Sequence, residues 1–141
     1  MKARKKKAAR RKPAPTARRR RSAAATAIAI KRAYQKPAVG DGIRILIDRL
    51  WPRGVSKDAL AVDLWPRELA PTTELRKWYG HEPRRFAEFR RRYRRELAGH
   101  SERLAALRDL INGRAATLVT ATRELALSHA IVLREALTKK S

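Results

Sequence analysis

The sequence predicts one small α/β domain, with a short, largely parallel sheet and flanking helices, behind a strongly basic N-terminal segment. Three observations carry that reading. Two runs rich in β-branched and aliphatic residues, Ile43 to Leu50 and Ala116 to Ala121, have the look of buried strands. Between them lies a long stretch with apolar residues at helical spacing, and 141 residues leave room for a single domain. The texture also changes abruptly after Thr26, where large apolar side chains first appear in number.

Taken in order, Ile28, Ile30, Arg32 and Tyr34 alternate with smaller or charged residues and suit a short first strand. Lys36, Pro37, Gly40, Asp41 and Gly42 form a turn cluster. Ile43 to Leu50 then reads as a central strand, ended by Trp51-Pro52-Arg53-Gly54 because proline cannot donate to a ladder. Ser56 caps a short turn, and Ala61 to Trp65 is expected as a third, brief strand stopped by Pro66. Thr72 or Thr73 opens a helix that ends at Gly80. Pro83 starts a second, running to about Ala98, with Phe86, Phe89, Tyr93 and Leu97 on one face. A third spans about Ser101 to Ile111 and closes at Asn112-Gly113. Ala116 to Ala121 is the last strand, and Glu124 to Leu137 the last helix.

Charge divides the chain at the same point. Overall the formal charge is +23, and residues 1 to 26 carry twelve basic side chains with no acid. Residues 27 to 141 still stand at +11. The segment has almost nothing apolar to bury, Pro13 and Pro15 interrupt any helix, and like charges repel, so disorder is expected. A secretory signal fits poorly, because the apolar stretch from Ser22 to Ile30 ends at Lys31 and Arg32. A mitochondrial presequence fits poorly too, since the prolines spoil its amphipathic helix. Cysteine is absent, which removes disulfides, thiolate metal sites and thiol nucleophiles. That composition is compatible with a cytoplasmic location, the one expected, and no apolar run approaches the length of a membrane span.

Three segments are distinctive: Asp48-Arg49-Leu50-Trp51-Pro52-Arg53-Gly54, then Leu69 through His81, and Thr117-Leu118-Val119 through His129 to Leu133. In order and spacing they resemble the YeaO-like family, domain of unknown function 488, over about Ile28 to Leu137. The resemblance implies a compact α/β fold and no agreed activity. It also marks departures: relatives usually place an aromatic residue at the position of Thr120, Asn or Asp at Glu124, and Asn at Ser128. Some broader relatives carry cysteines in this loop, and a thiol-based version of its chemistry has no counterpart here.

In open parallel sheets ligands bind beyond the carboxyl ends of the strands, and that rule selects the candidate residues. Arg49 and Arg53 flank Trp51 at the end of the second strand and offer planar forks of donors for phosphate or carboxylate. The structural alternative pairs Arg49 with an acid such as Asp48 or Asp63. Arg76, Lys77 and His81 surround the end of a helix, and His81 is the histidine best placed to titrate near neutrality, against a plain surface or capping role. Thr120, Thr122 and Arg123 precede the last helix, whose N-terminus would add an anion cradle, with His129 one to two turns further in. Packing is the competing role for His129. No metal constellation, cofactor motif or nucleophile elbow is visible. The seven arginines between Arg84 and Arg95 read as a solvated face around aromatic core anchors, with a polyanion-binding face as the alternative.

The reading is thus a domain that binds an anionic, phosphate-bearing small ligand. Its basic segment, through Lys2, Arg4, Lys5, Lys6, Lys7, Arg10, Arg11, Lys12, Arg18, Arg19, Arg20 and Arg21, is expected to give DNA or RNA affinity without sequence preference. A solubilising extension, or a true start near Ala27, is the alternative for that segment. The alternative for the domain is a non-enzymatic protein-interaction or nucleic-acid-associated module, for which exposed Trp51, Trp65 and Trp78 would speak. Whether it is an enzyme, and its oligomeric state, do not follow from the sequence.

Overall fold

The computed structural model describes residues 28–138, and three parallel strands form its centre: β1 (Ile28–Arg32), β2 (Ile43–Leu46) and β3 (Ala116–Thr120), in the order β1-β3-β2. The last strand therefore lies between the first two. Every residue of β3 is buried, as expected of a strand covered on both faces. The residues before Ile28 and after Thr138 lie outside the description, and with them the expected basic segment.

Alternation along the strands separates two cores. Ile28, Ile45, Ile47 and Leu118 point toward the main one, which the longer helices complete. These are α2 (Thr73–Tyr79), α3 (Phe86–Ala98), α4 (Ser101–Ile111) and α5 (His129–Thr138). Leu46 and Val119 point the other way, under a layer made by the segment from Trp51 to Trp65. That layer holds the single-turn helix α1 (Lys57–Leu60), whose N-cap Ser56 accepts a hydrogen bond from the Ala59 amide. The helices expected from Thr73 and Ser101 form as read, and the one expected from Pro83 opens with a 3-10 turn, Pro83–Arg85, before α3 begins at Phe86. Phe89, Tyr93 and Leu97 of α3 are buried, and its arginines lie around them at the surface or half-buried.

Three expectations are corrected, the last two because a side chain captures a backbone group. The second strand stops at Leu46 and sits at the edge of the named sheet rather than its centre. Ala61 to Trp65 forms only a single parallel bridge, Ile45 with Leu64, because the Asp63 carboxylate takes the Arg44 amide at 2.9 Å. The last helix begins at His129, after a 3-10 turn at Leu125–Leu127. Ser128 breaks it there: its backbone is extended, and its hydroxyl donates to the Leu125 carbonyl while accepting from the Ala130 amide.

At the amino ends of the strands a buried ion pair closes the sheet. Arg44 donates to the Asp41 carboxylate at 2.6 Å and to the Leu60 carbonyl at 2.7 Å. The Ala38 amide, then Lys31 and Arg44, hold the Asp41 carboxyl below its ordinary range against the opposing effect of burial. Next to it Gly42 adopts φ 67°, and a Cβ there would lie 2.2 Å from the Ala115 carbonyl oxygen, so glycine is required. Removing Arg44 leaves Asp41 with Lys31 at 3.1 Å but strands the buried Leu60 carbonyl, whereas Arg91 forms an exposed pair with Glu88. Arg44→Ala is expected to lower unfolding free energy by about 3 kcal/mol, from a lost charge-assisted bond and an unsatisfied carbonyl. Arg91→Ala is expected to cost no more than about 1 kcal/mol, both read from urea denaturation.

Candidate functional site

Beyond the carboxyl ends of all three strands lies a cleft of about 570 Å³. Tyr34 follows β1, the segment Asp48 to Arg53 follows β2, and Ala121 and Thr122 follow β3. The opposite wall is Pro71 and helix α2, with His81 just past its end. A cavity of this size is in the range that holds a nucleotide-sized metabolite.

The α2 wall is built from its caps. Thr72 is the N-cap, accepting from the Leu75 amide, and its own amide and hydroxyl both donate to Glu96 of α3. Leu75 and Tyr79 turn into the core, which leaves Thr73, Arg76 and Lys77 exposed along the cleft. Gly80 and His81 then take left-handed backbone in succession, φ 53° and 59°. For histidine that conformation is uncommon, and it sets the imidazole beside the cleft, 6.0 Å from the Tyr79 ring.

The floor is organised by Asp48. One carboxylate oxygen accepts from the Thr120 hydroxyl at 2.6 Å and faces His129 Nε2 at 3.1 Å. The other accepts from the Ala121 amide at 2.8 Å. His129 Nε2 is also 3.1 Å from the Ile47 carbonyl, so the imidazole bridges the ends of β2 and α5. Burial opposes ionisation of Asp48, yet its bonds to His129, Thr120 and Ala121 outweigh that and hold its carboxyl below the ordinary value of 3.8.

Of the predicted site residues, Arg49, Trp51, Arg53, Arg76, Lys77, His81, Thr122 and His129 line this one cleft. Thr120 and Arg123 do not: Thr120 is fully buried with its hydroxyl on Asp48, and Arg123 faces solvent elsewhere. The expected helix N-terminus after Thr122 is absent, since α5 starts at His129, and the loop amide of Ala121 is occupied by Asp48. Nor does Arg49 pair with an acid among the described residues: it donates to the Ala70 and Pro71 carbonyls, both at 3.1 Å, which ties the two walls of the cleft together. Sequence reasoning missed Asp48 as a site residue. The signal was present, as a carboxylate in an otherwise apolar run heading a distinctive motif.

Four cations, Arg49, Arg53, Arg76 and Lys77, thus face one carboxylate in the lining. The Ser128 hydroxyl is committed to the backbone and the Thr120 hydroxyl to Asp48, so neither is poised as a nucleophile. The three tryptophans do not form a common exposed patch. Trp51 and Trp65 meet edge to face at 5.3 Å, each with its indole N–H on a carbonyl, and Trp78 lies under Arg85 and Arg92. Among the described residues, no helix is long and apolar enough to cross a membrane.

Fold and cleft define a small α/β protein with three parallel strands and a cationic pocket at their carboxyl edge. Comparison with known families places it further: residues 27–141 match the model described as "Inactive DUF488-N3 subclade", and the chain belongs to that YeaO-like DUF488 family. It is similar to the uncharacterized protein Rv3073c of Mycobacterium tuberculosis, 46% identical over 112 residues that cover 79% of this chain and 94% of the relative. It is also similar to the uncharacterized protein YeaO of Escherichia coli K12, 42% identical over 108 residues, covering 77% and 94%. No solved structure matches it.

Because its folded-state carboxyl is more acidic than in the unfolded chain, Asp48 contributes stability above about pH 3.8 that is lost as pH falls through its lowered value. Asp48→Asn is therefore expected to be less stable at pH 7, by about 1.5–3 kcal/mol for a charge-assisted bond. The gap between the variant and the parent should close on acidification, as read from urea midpoints between pH 7 and pH 2. A gap independent of pH would contradict the ionised role.

Proposed function

We propose that this domain binds an anionic, phosphate-bearing small ligand in the cleft at the strand carboxyl ends. The single observation that carries the reading is the convergence of Arg53, Arg76 and Lys77, from two separate segments, on one concave site. All three are exposed, and none takes an acidic partner among the described residues. Like charges gathered across a cleft repel one another in the empty protein and raise the potential available to an anion. Arg49 adds charge from deeper in the wall while its Nε and Nη2 stay on carbonyls. The subclade's description as inactive suits binding without turnover, as do the committed hydroxyls and the lack of cysteine. Phosphorylated metabolites and nucleotides, screened by thermal shift, are expected to include one that adds about 2.7 kcal/mol of stability at 100 times its Kd. Arg76→Ala with Lys77→Ala should abolish that shift while leaving the unliganded midpoint nearly unchanged. A shift that survives the double substitution would place the ligand elsewhere.

The basic segment supports a second, independent reading: nucleic-acid affinity through residues 2 to 21, which hold twelve Lys and Arg. Such a density releases condensed counterions from phosphates without reading bases, and no aromatic residue before Tyr34 is available to stack. If six to ten phosphates are engaged, affinity should fall roughly 10³- to 10⁵-fold between 50 and 200 mM salt. A shortened chain starting at Thr26 should lose both the affinity and the salt slope in filter binding. Equal values for the two chains would remove the segment from the account.

A further inference from the structure

The cleft has opposite polarity at its two depths, and that layout selects a class of ligand. At the rim stand the exposed cations Arg53, Arg76 and Lys77. At the floor stands the Asp48 carboxylate, with 16% of its side chain open. An ionised carboxylate has about four acceptor positions. Thr120 and His129 address one oxygen and the Ala121 amide addresses the other, so the second oxygen keeps acceptor capacity on a residue that lines the cavity. A phosphate at that depth would lie against a buried negative charge. It would also find the Ala121 amide, a natural donor to an anion, already used.

We infer that the ligand is bipolar, with its phosphate held by the rim cations and an N–H-bearing group, such as the amino edge of a heterocycle, donating to Asp48 at the floor. This rests on the anionic-ligand reading and adds to it the identity of the other end. The walls between the two ends suit a flat ring: Trp51, Tyr79 and Phe89 line the cavity, with Leu50 exposed at its edge. Asp48 then has two roles, organising the floor through Thr120, Ala121 and His129, and rejecting molecules that bring only negative charge or only apolar surface to it. A ring without an N–H would cover the remaining acceptor site of the second oxygen and take away its solvent partner, which penalises such a ligand.

The test compares matched pairs of phosphates that differ by one amino group. A long pair is adenosine 5′-monophosphate against purine riboside 5′-monophosphate, and a short pair is 3-aminophenyl phosphate against phenyl phosphate. Titration calorimetry on the full chain is expected to show the amino member of at least one pair binding about tenfold tighter or more, the size of one hydrogen bond to a charged acceptor. In Asp48→Asn that preference should shrink to about twofold, and Arg76→Ala with Lys77→Ala should weaken both members alike. Should Asp48→Asn not fold, the comparison on the unaltered protein still decides. Equal binding within both pairs, lost in the rim variant, would overturn the inference and leave the anionic-ligand reading standing. No binding by any of the four would overturn the two together.

Discussion

Where β2 runs out, the chain turns on the carboxylate of Asp48. That group holds the Ala121 amide at 2.8 Å, the Thr120 hydroxyl at 2.6 Å and the His129 ring at 3.1 Å, while its own carbonyl receives the Trp65 indole N–H at 2.7 Å. Four elements are therefore joined through one residue: the exits of β2 and β3, the first residue of α5, and the tryptophan layer beneath the sheet. The ladder from β2 to β3 persists one bond further, from the Ile47 amide to the Val119 carbonyl, and then stops. Beyond that point the backbone bends away and opens the cleft.

The same constraint explains which parts of the fold were legible in the sequence. Helices α2, α3 and α4 follow signals that act within one element: the Thr72 cap and Gly80 for α2, and the Phe89-Tyr93-Leu97 and Leu104-Leu107-Ile111 stripes for α3 and α4. The end of β2 and the bridge at Leu64 depend instead on side chains that reach across elements for backbone groups. Asp63 on the Arg44 amide and Asp48 on the Ala121 amide both act across tens of residues, and no local pattern encodes such pairings. Ser128 is the local case, where a short polar side chain stops what composition alone reads as one continuous helix. For the site, the rule that ligands gather at strand carboxyl ends brought eight of the candidates to one cleft. It misplaced Thr120 and Arg123 because it assumed a helix dipole where the protein has a carboxylate.

Arginine serves two distinct ends in this chain. Arg44 and Arg49 are structural, their guanidinium groups bound to carbonyls and, for Arg44, to Asp41. Arg90, Arg91 and Arg92 are balanced by Glu135 and Glu88, and Arg92 also covers Trp78. Counting basic residues therefore overstates what is open to an anion. What distinguishes Arg53, Arg76 and Lys77 is position, on the two lips of a cavity in which Asp48, at the bottom, is the only acidic lining residue among the described residues.

The central claim is that an anion is held at the rim because Asp48 already occupies the floor. The most direct measurement is a titration of the ¹⁵N-labelled protein with inorganic phosphate at pH 7, following backbone amides and arginine Nε signals. Concerted shifts are expected at Arg53, Arg76, Lys77 and His81, with the Ala121 amide unmoved because its hydrogen bond to Asp48 persists. Movement of Ala121 as large as that at the rim, or shifts confined to the outer face of α3 at Arg91, Arg94 and Arg95, would contradict it.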